Sequence, residues 1–157
     1  MMSGEYCVID TSHGSITLRL RADCAPSTVD HFSKLVGDRL YDGCCFYRSD
    51  FVIQCGLQRP DGSAVPNPHP AIQTNETKLT NGRGTAAFGH WDVPDCGNSD
   101  FFINLKHNSH LDTAYGGYAV FMEIEADDAT SLQTVDKIAA AVLAGSKPLI
   151  RTVRLGR

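Results

Sequence analysis

Phe46-Tyr47-Arg48-Ser49-Asp50-Phe51-Val52-Ile53-Gln54-Cys55-Gly56 sets an arginine and a glutamine on either side of apolar residues. Cys45 to Arg48 and Phe51 to Cys55 are short runs rich in residues that suit a pleated surface, which predicts a strand pair broken only by Ser49-Asp50. Arginine is seldom buried without a partner, so Arg48 has two readings: a surface residue paired with Asp50, or a cation held in place for chemistry. A second segment, Gly97-Asn98-Ser99-Asp100-Phe101-Phe102-Ile103-Asn104, puts two aromatic residues side by side. Successive strand side chains leave by opposite faces. One ring therefore enters the core, while the other either lines a pocket or is simply covered.

Outward from these segments the chain divides by period. Cys7-Val8-Ile9, the turn residues Ser12-His13-Gly14, and Ile16, Leu18 and Leu20 alternating with Ser15, Thr17 and Arg19 predict a half-buried antiparallel hairpin. Pro26 stops the strand. Ser27 is placed to cap a helix, Asp30 favours the positive end of its dipole, and Val29, Phe32, Leu35, Val36 and Leu40 recur at helical spacing as far as Tyr41-Asp42-Gly43. Leu132, Val135, Ile138, Ala139 and Val142 form a second helical face after Asp127-Asp128-Ala129-Thr130, stopping near Gly145 and Pro148. Further strands are predicted at Gly84 to Phe88, Phe101 to Leu105, Gly117 to Ile124 and Leu149 to Leu155, and Arg59 to Pro70 is a Pro/Gly/Asn-rich loop. The count, about eight short strands and two helices, predicts a mainly β fold: a closed eight-stranded antiparallel barrel capped by two α-helices, one domain over residues 1–157.

A chain of 157 residues, 42% hydrophobic and 20% charged, has the composition of a soluble globular protein able to bury a sizeable core. With 14 Lys+Arg against 18 Asp+Glu and no basic run, it has nothing to neutralise a row of phosphates, so no nucleic-acid partner is expected. The start of the chain lacks a basic segment followed by an apolar one, and no apolar run approaches the roughly 20 residues that span a bilayer, which predicts a cytoplasmic protein with no membrane partner. Six cysteines without a C-x-x-C pair are expected as free thiols. His107-x-x-His110 lacks a Cys or carboxylate at matching spacing, so no metal is expected. With no long apolar surface stripe, a monomer is expected. His13 and His31 have no partner in the sequence and are expected in solvent. Trp91, amid His90, Asp92, Val93 and Pro94, is either a contact for a peptide or packing against the barrel.

Taken in order, these segments resemble the cyclophilin signature across nearly the whole chain. Ala25-Pro26 to Gly43 is similar to the family's first helix and its Tyr-Asp-Gly exit, Phe46-Tyr47-Arg48 to its Phe-His-Arg, and Phe51 to Gly56 to its Phe-Met-x-Gln-Gly-Gly. Asn75-Glu76, Arg83-Gly84-Thr85, Ser99 to Asn104, Leu111-Asp112 and Gly117-Tyr118-Ala119-Val120-Phe121 continue the match. The short route from Gly56 to Arg83 and the Gly-Tyr motif resemble bacterial-type members more than the common eukaryotic cytosolic form.

The resemblance implies a peptidyl-prolyl cis/trans isomerase that acts on Pro-containing polypeptides, assisting folding or conformational switching, and needs no cofactor or metal. Arg48 would donate to the prolyl amide as its resonance is lost, while Gln54 holds the substrate carbonyl or positions Arg48. Phe51, Val52, Phe102 and Leu111 would fix the proline ring. Gly89 and His90 align approximately with the stretch whose backbone contacts the peptide.

Departures from the pattern bear on rate and ligand choice. Only Ser49-Asp50 separate Arg48 from Phe51, two residues fewer than usual, and Asp50 stands ready to draw Arg48 away from substrate. Asp100 replaces the usual Gln with an acceptor-only group, to pair with Arg48 or to favour a basic residue in the substrate. His110 replaces a Trp used in binding cyclosporin, so cyclosporin-type ligands are expected to bind weakly. Tyr118 stands where many eukaryotic members have His. The alternative function is a cyclophilin-fold module that binds Pro-containing segments with little turnover, Arg48 being neutralised by Asp50 and Asp100.

Overall fold

Alternation at the start of the chain produces the predicted hairpin, β1 (Tyr6–Thr11) against β2 (Gly14–Leu20), with Thr11 opposite Gly14. Ile16, Leu18 and Leu20 are buried, whereas Ser15 and Arg19 face solvent. The computed structural model describes residues 5–73, 76, 78–90 and 97–156. After the hairpin come α1 (Pro26–Gly37), β3 (Phe46–Ser49), β4 (Val52–Cys55), β5 (Thr85–Phe88), β6 (Phe101–Asn104), β7 (Val120–Glu123), α2 (Ala129–Leu143) and β8 (Ile150–Leu155).

The eight strands form one antiparallel sheet in the order β3-β4-β6-β5-β7-β2-β1-β8. Its two edges meet. Cys45 bridges Leu149, the Phe46 amide donates to Pro148 O at 3.0 Å, and the Ile150 amide donates to Cys44 O at 2.8 Å. Few strand edges then remain unpaired, which is the physical advantage of a nearly closed barrel. The core is aromatic at its centre. Phe32 of α1 lies 5.1 Å from Phe121 and 5.5 Å from Phe101, and Phe88 lies 5.0 Å from Phe121. α1 rests on β7 and β8, and α2 buries Val135 and Ile138 while resting on β2, β3 and β4.

α2 lies where its spacing predicts, whereas α1 departs in detail from expectation. α1 ends at Gly37 rather than near Tyr41, because the chain turns left-handed at Arg39 (φ 57°) and swings the Tyr41 ring into the core. Leu40 still packs against that core from outside the helix. Ser27 makes no capping bond. The carboxylate of Glu76 accepts instead from the Ser27 amide at 2.9 Å, the Thr28 amide at 3.1 Å and the Thr28 hydroxyl at 2.9 Å. α2 is capped locally, by Asp128 accepting from the Ser131 amide at 3.0 Å.

His31 is buried rather than solvated: its Nε2 donates to Asn98 O at 2.5 Å and its ring meets Phe88 edge-on at 5.7 Å. Burial lowers its pKa, against a smaller opposing effect of that hydrogen bond. His13 is half-buried and bonds Ser12 at 2.9 Å. β7 starts at Val120 rather than Gly117, because Gly117 (φ 92°) turns the chain so that the Tyr118 amide reaches Leu111 O at 2.9 Å. Cys7, Cys24, Cys44, Cys45 and Cys55 are buried free thiols, and Trp91 and Cys96 lie outside the described residues. Among the described residues no helix is long and apolar enough to cross a membrane, and no cluster of His, Cys, Asp or Glu could hold a metal ion.

Candidate active site

The outer face of the central strands builds the site. In β4, β5 and β6 the inward residues Ile53, Cys55, Ala86, Phe88, Phe101 and Ile103 belong to the main core. Period two sends Val52, Gln54, Ala87 and Phe102 the other way, with Phe102 opposite both Gln54 and Ala87. Val52, Ala87 and Phe102 join Leu111 in a second apolar cluster, with Phe51 and Tyr118 packed against it. Of the two aromatic readings, Phe101 is therefore the core ring and Phe102 the pocket ring.

Leu111 comes from a 3-10 turn (Ser109–Asp112) held by a polar network that sequence reasoning passed over. Asp112 accepts from the Thr80 hydroxyl at 2.6 Å, the Asn81 amide at 2.8 Å and Asn81 Nδ2 at 2.9 Å. Burial pushes the Asp112 pKa up, but those hydrogen bonds outweigh it, and the net shift is downward. Asn81 accepts from Asn104 at 3.1 Å, Asn104 from Asn108 at 2.9 Å, and Asn108 also donates to Phe51 O at 3.0 Å. Three buried amides thus tie the loop carrying Leu111 to the loop carrying Phe51. The spacing Asn104-x-x-x-Asn108 was visible in the sequence, but nothing there marked the pair as buried.

An open cavity of about 660 Å³ lies over this cluster. Phe51, Val52, Phe102 and Leu111 supply apolar lining, Arg48, Gln54 and Asp100 supply polar groups, and Gly89, His90, His110 and Tyr118 complete the predicted set. Tyr47 and Tyr115, which carry no site signal in the sequence, line it as well. The volume falls within the range of small-ligand pockets.

Arg48 is held on three sides. Its Nε donates to Asp50 Oδ2 at 2.8 Å, its Nη1 donates to Gln54 Oε1 at 3.0 Å, and its guanidinium carbon sits 5.3 Å from the centroid of the Phe51 ring. Nη2 has no hydrogen-bond partner among the described residues. Asp50 also accepts from the Val52 amide at 3.2 Å, which closes the short connection between β3 and β4. The expected pair with Asp50 is thus present, but it occupies Nε alone. Both partners are about two-fifths exposed, where an ion pair is worth about 0 to 1 kcal/mol.

Asp100 does not pair with Arg48. Its carboxylate accepts from the Tyr47 hydroxyl, and that same oxygen accepts from Gln54 Nε2 at 2.7 Å. His90 Nε2 donates to Gly117 O at 2.7 Å, and its ring stacks on Tyr118 at 4.0 Å. The Gly89 amide donates to Asp100 O at 2.8 Å. His110 is exposed and meets Phe51 edge-on at 5.2 Å.

Residues 6–156 match the family model described as cyclophilin type peptidyl-prolyl cis-trans isomerase/CLD. A Streptomyces antibioticus peptidyl-prolyl cis-trans isomerase is 38% identical over 120 residues, covering 72% of this chain and 72% of that one. Peptidyl-prolyl cis-trans isomerase B of Escherichia coli is 31% identical over 135 residues, 82% of this chain and 80% of its own. The fold is similar to that of a cyclophilin type peptidyl-prolyl cis-trans isomerase from Cryptosporidium parvum, crystallised in the presence of the dipeptide Ala-Pro. The TM-score is 0.75 at 16% identity, over 97% of this chain and 99% of that one.

Proposed function

Because this chain belongs to the cyclophilin-type peptidyl-prolyl cis-trans isomerase family, we propose that its cavity seats a proline ring on Val52, Phe102 and Leu111 while Arg48 assists rotation about the bond before that proline. The barrier to rotation is about 18 to 20 kcal/mol and comes from amide resonance. A donor placed at the prolyl nitrogen stabilises the lone pair that appears as resonance is lost, so it acts on the twisted state more than on either planar isomer. No bond to the protein forms, and the proton inventory is unchanged.

The observation that carries this reading is the state of Arg48. Asp50, Gln54 and Phe51 fix the guanidinium beside an apolar floor, while neither N–H group of Nη2 is bonded among the described residues. A fixed donor costs little reorganisation when the substrate twists. Phe51 and His110 flank the ring site, and Gly89, His90, Asp100 and Tyr118 border the path of an extended peptide. Substrates are Pro-containing segments of flexible chains, met by a single-domain monomer. Five buried free thiols suit a reducing compartment such as the cytoplasm. Cyclosporin-type ligands bind weakly, since imidazole at His110 offers less apolar area than indole.

Isomerisation of a chromogenic X-Pro tetrapeptide by wild type and Arg48→Ala, with thermal unfolding of both, tests the reading. Wild type accelerates the reaction, and Arg48→Ala loses at least about tenfold, or 1.4 kcal/mol of barrier lowering, with its unfolding unchanged. A folded wild type no faster than buffer overturns the activity; a fully active Arg48→Ala overturns the role of Arg48.

A further inference from the structure

We propose that Tyr47 and Asp100 are a positioning pair that sets the orientation of the Gln54 amide and through it holds the Arg48 guanidinium; this rests on the roles given to Arg48 and Gln54 above. Hydrogen-bond polarity fixes the direction of the chain from Arg48 to Asp100. A carboxylate only accepts, and a phenol has a single proton. With that proton committed to Asp100, the Tyr47 oxygen can only accept from Gln54, and it does so from Nε2 at 2.7 Å. Nε2 facing Tyr47 leaves Oε1 facing Arg48, whose Nη1 donates to it at 3.0 Å. Flipping the amide would set Oε1 against an oxygen lone pair and Nε2 against the guanidinium, which is repulsive at both ends. The donors therefore run one way, from Arg48 through Gln54 and Tyr47 to Asp100.

Each member of the relay is itself constrained. Tyr47 is half-buried, and burial first, then the bond to Asp100, raises its pKa, so the hydroxyl keeps its proton across the neutral range. Asp100 lies directly over Gly56. A Cβ at residue 56 would fall 1.9 Å from Asp100 Oδ1, and the Ser99 hydroxyl donates to that same oxygen at 3.3 Å. Gly56 thus clears the space in which the carboxylate can reach Tyr47. Where the resemblance leads one to expect His and Gln, this chain has Tyr47 and Asp100, and the two substituted side chains bond to each other.

Two variants break the relay by different routes. Tyr47→Phe deletes the hydroxyl; Gly56→Ala keeps both partners but displaces the carboxylate, the movable end of a side chain. Four readouts are taken: kcat on an X-Pro tetrapeptide, Kd for a Pro-containing peptide by titration, the Gln54 side-chain amide resonances in ¹⁵N spectra, and thermal unfolding. The proposal expects kcat to fall roughly three- to tenfold, the equivalent of one hydrogen bond, with Kd within about twofold of wild type and the Gln54 resonances shifted. In a Gln54→Ala background, Tyr47→Phe costs nothing further, which a purely structural tyrosine would not reproduce. Unchanged Gln54 resonances in both variants overturn it, as does an equal loss of kcat in the Gln54→Ala background. If wild type shows no isomerisation, the isomerase reading falls, and the Gln54 resonances still decide whether the relay exists.

Discussion

The two faces of the strands β4 and β6 share one backbone and one register, yet they do opposite work. Inside the barrel, Ile53, Cys55, Phe101 and Ile103 are wholly buried against rings such as Phe32 and Phe121. Outside, Val52 and Phe102 form a much smaller cluster that only loops cover, with Gln54 and Arg48 at its edge. The inner face is complete without a partner. The outer face leaves apolar surface and polar donors facing one cavity, the usual mark of a binding site.

Adjacent phenylalanines give the sharpest way to break that contrast. Phe101→Ala removes a ring from the aromatic core and should cost about 3 to 5 kcal/mol in denaturant unfolding. Phe102→Ala opens onto a cavity that water can enter, and should cost about half that while weakening Pro-peptide binding by at least tenfold. Equal stability losses with peptide affinity intact in Phe102→Ala would show that the faces do not divide in this way.

A smaller effect is expected where the long loop meets α1. Burial raises the Glu76 pKa, but the bonds from Ser27 and Thr28 outweigh it and leave it below the ordinary 4.5. A carboxylate with a depressed folded pKa adds stability above its unfolded pKa and loses it as the pH falls through the folded value. Glu76→Gln should therefore cost about 1 kcal/mol at neutral pH, and the gap to wild type should close on acidification. A pH-independent gap would mean that the carboxylate charge is not what caps the helix.

The smallest effect concerns the cavity rim. Tyr115 is 62% exposed and left-handed at φ 50°, a conformation that Asn tolerates better than Tyr. Tyr115→Asn should raise stability by up to about 1 kcal/mol in thermal unfolding. A loss instead would mean that the ring makes contacts that outweigh the strain.

What the sequence by itself determined follows from local periodicity. An apolar run marked β1, alternating residues marked β2, helical spacing marked both helices, and motif order picked out Arg48, Gln54, Phe51, Phe102 and Leu111, which line one cavity. Such patterns are legible because burial on one face repeats with the geometry of the element itself. Only the tertiary structure decided that Glu76 rather than Ser27 caps α1, that His31 is buried against Asn98, and that Asp100 answers Tyr47 instead of Arg48. Those partners stand 48, 67 and 53 residues apart. A polar side chain offers the same donors and acceptors wherever the chain goes, so which of them meet is settled when the barrel closes and brings its loops together.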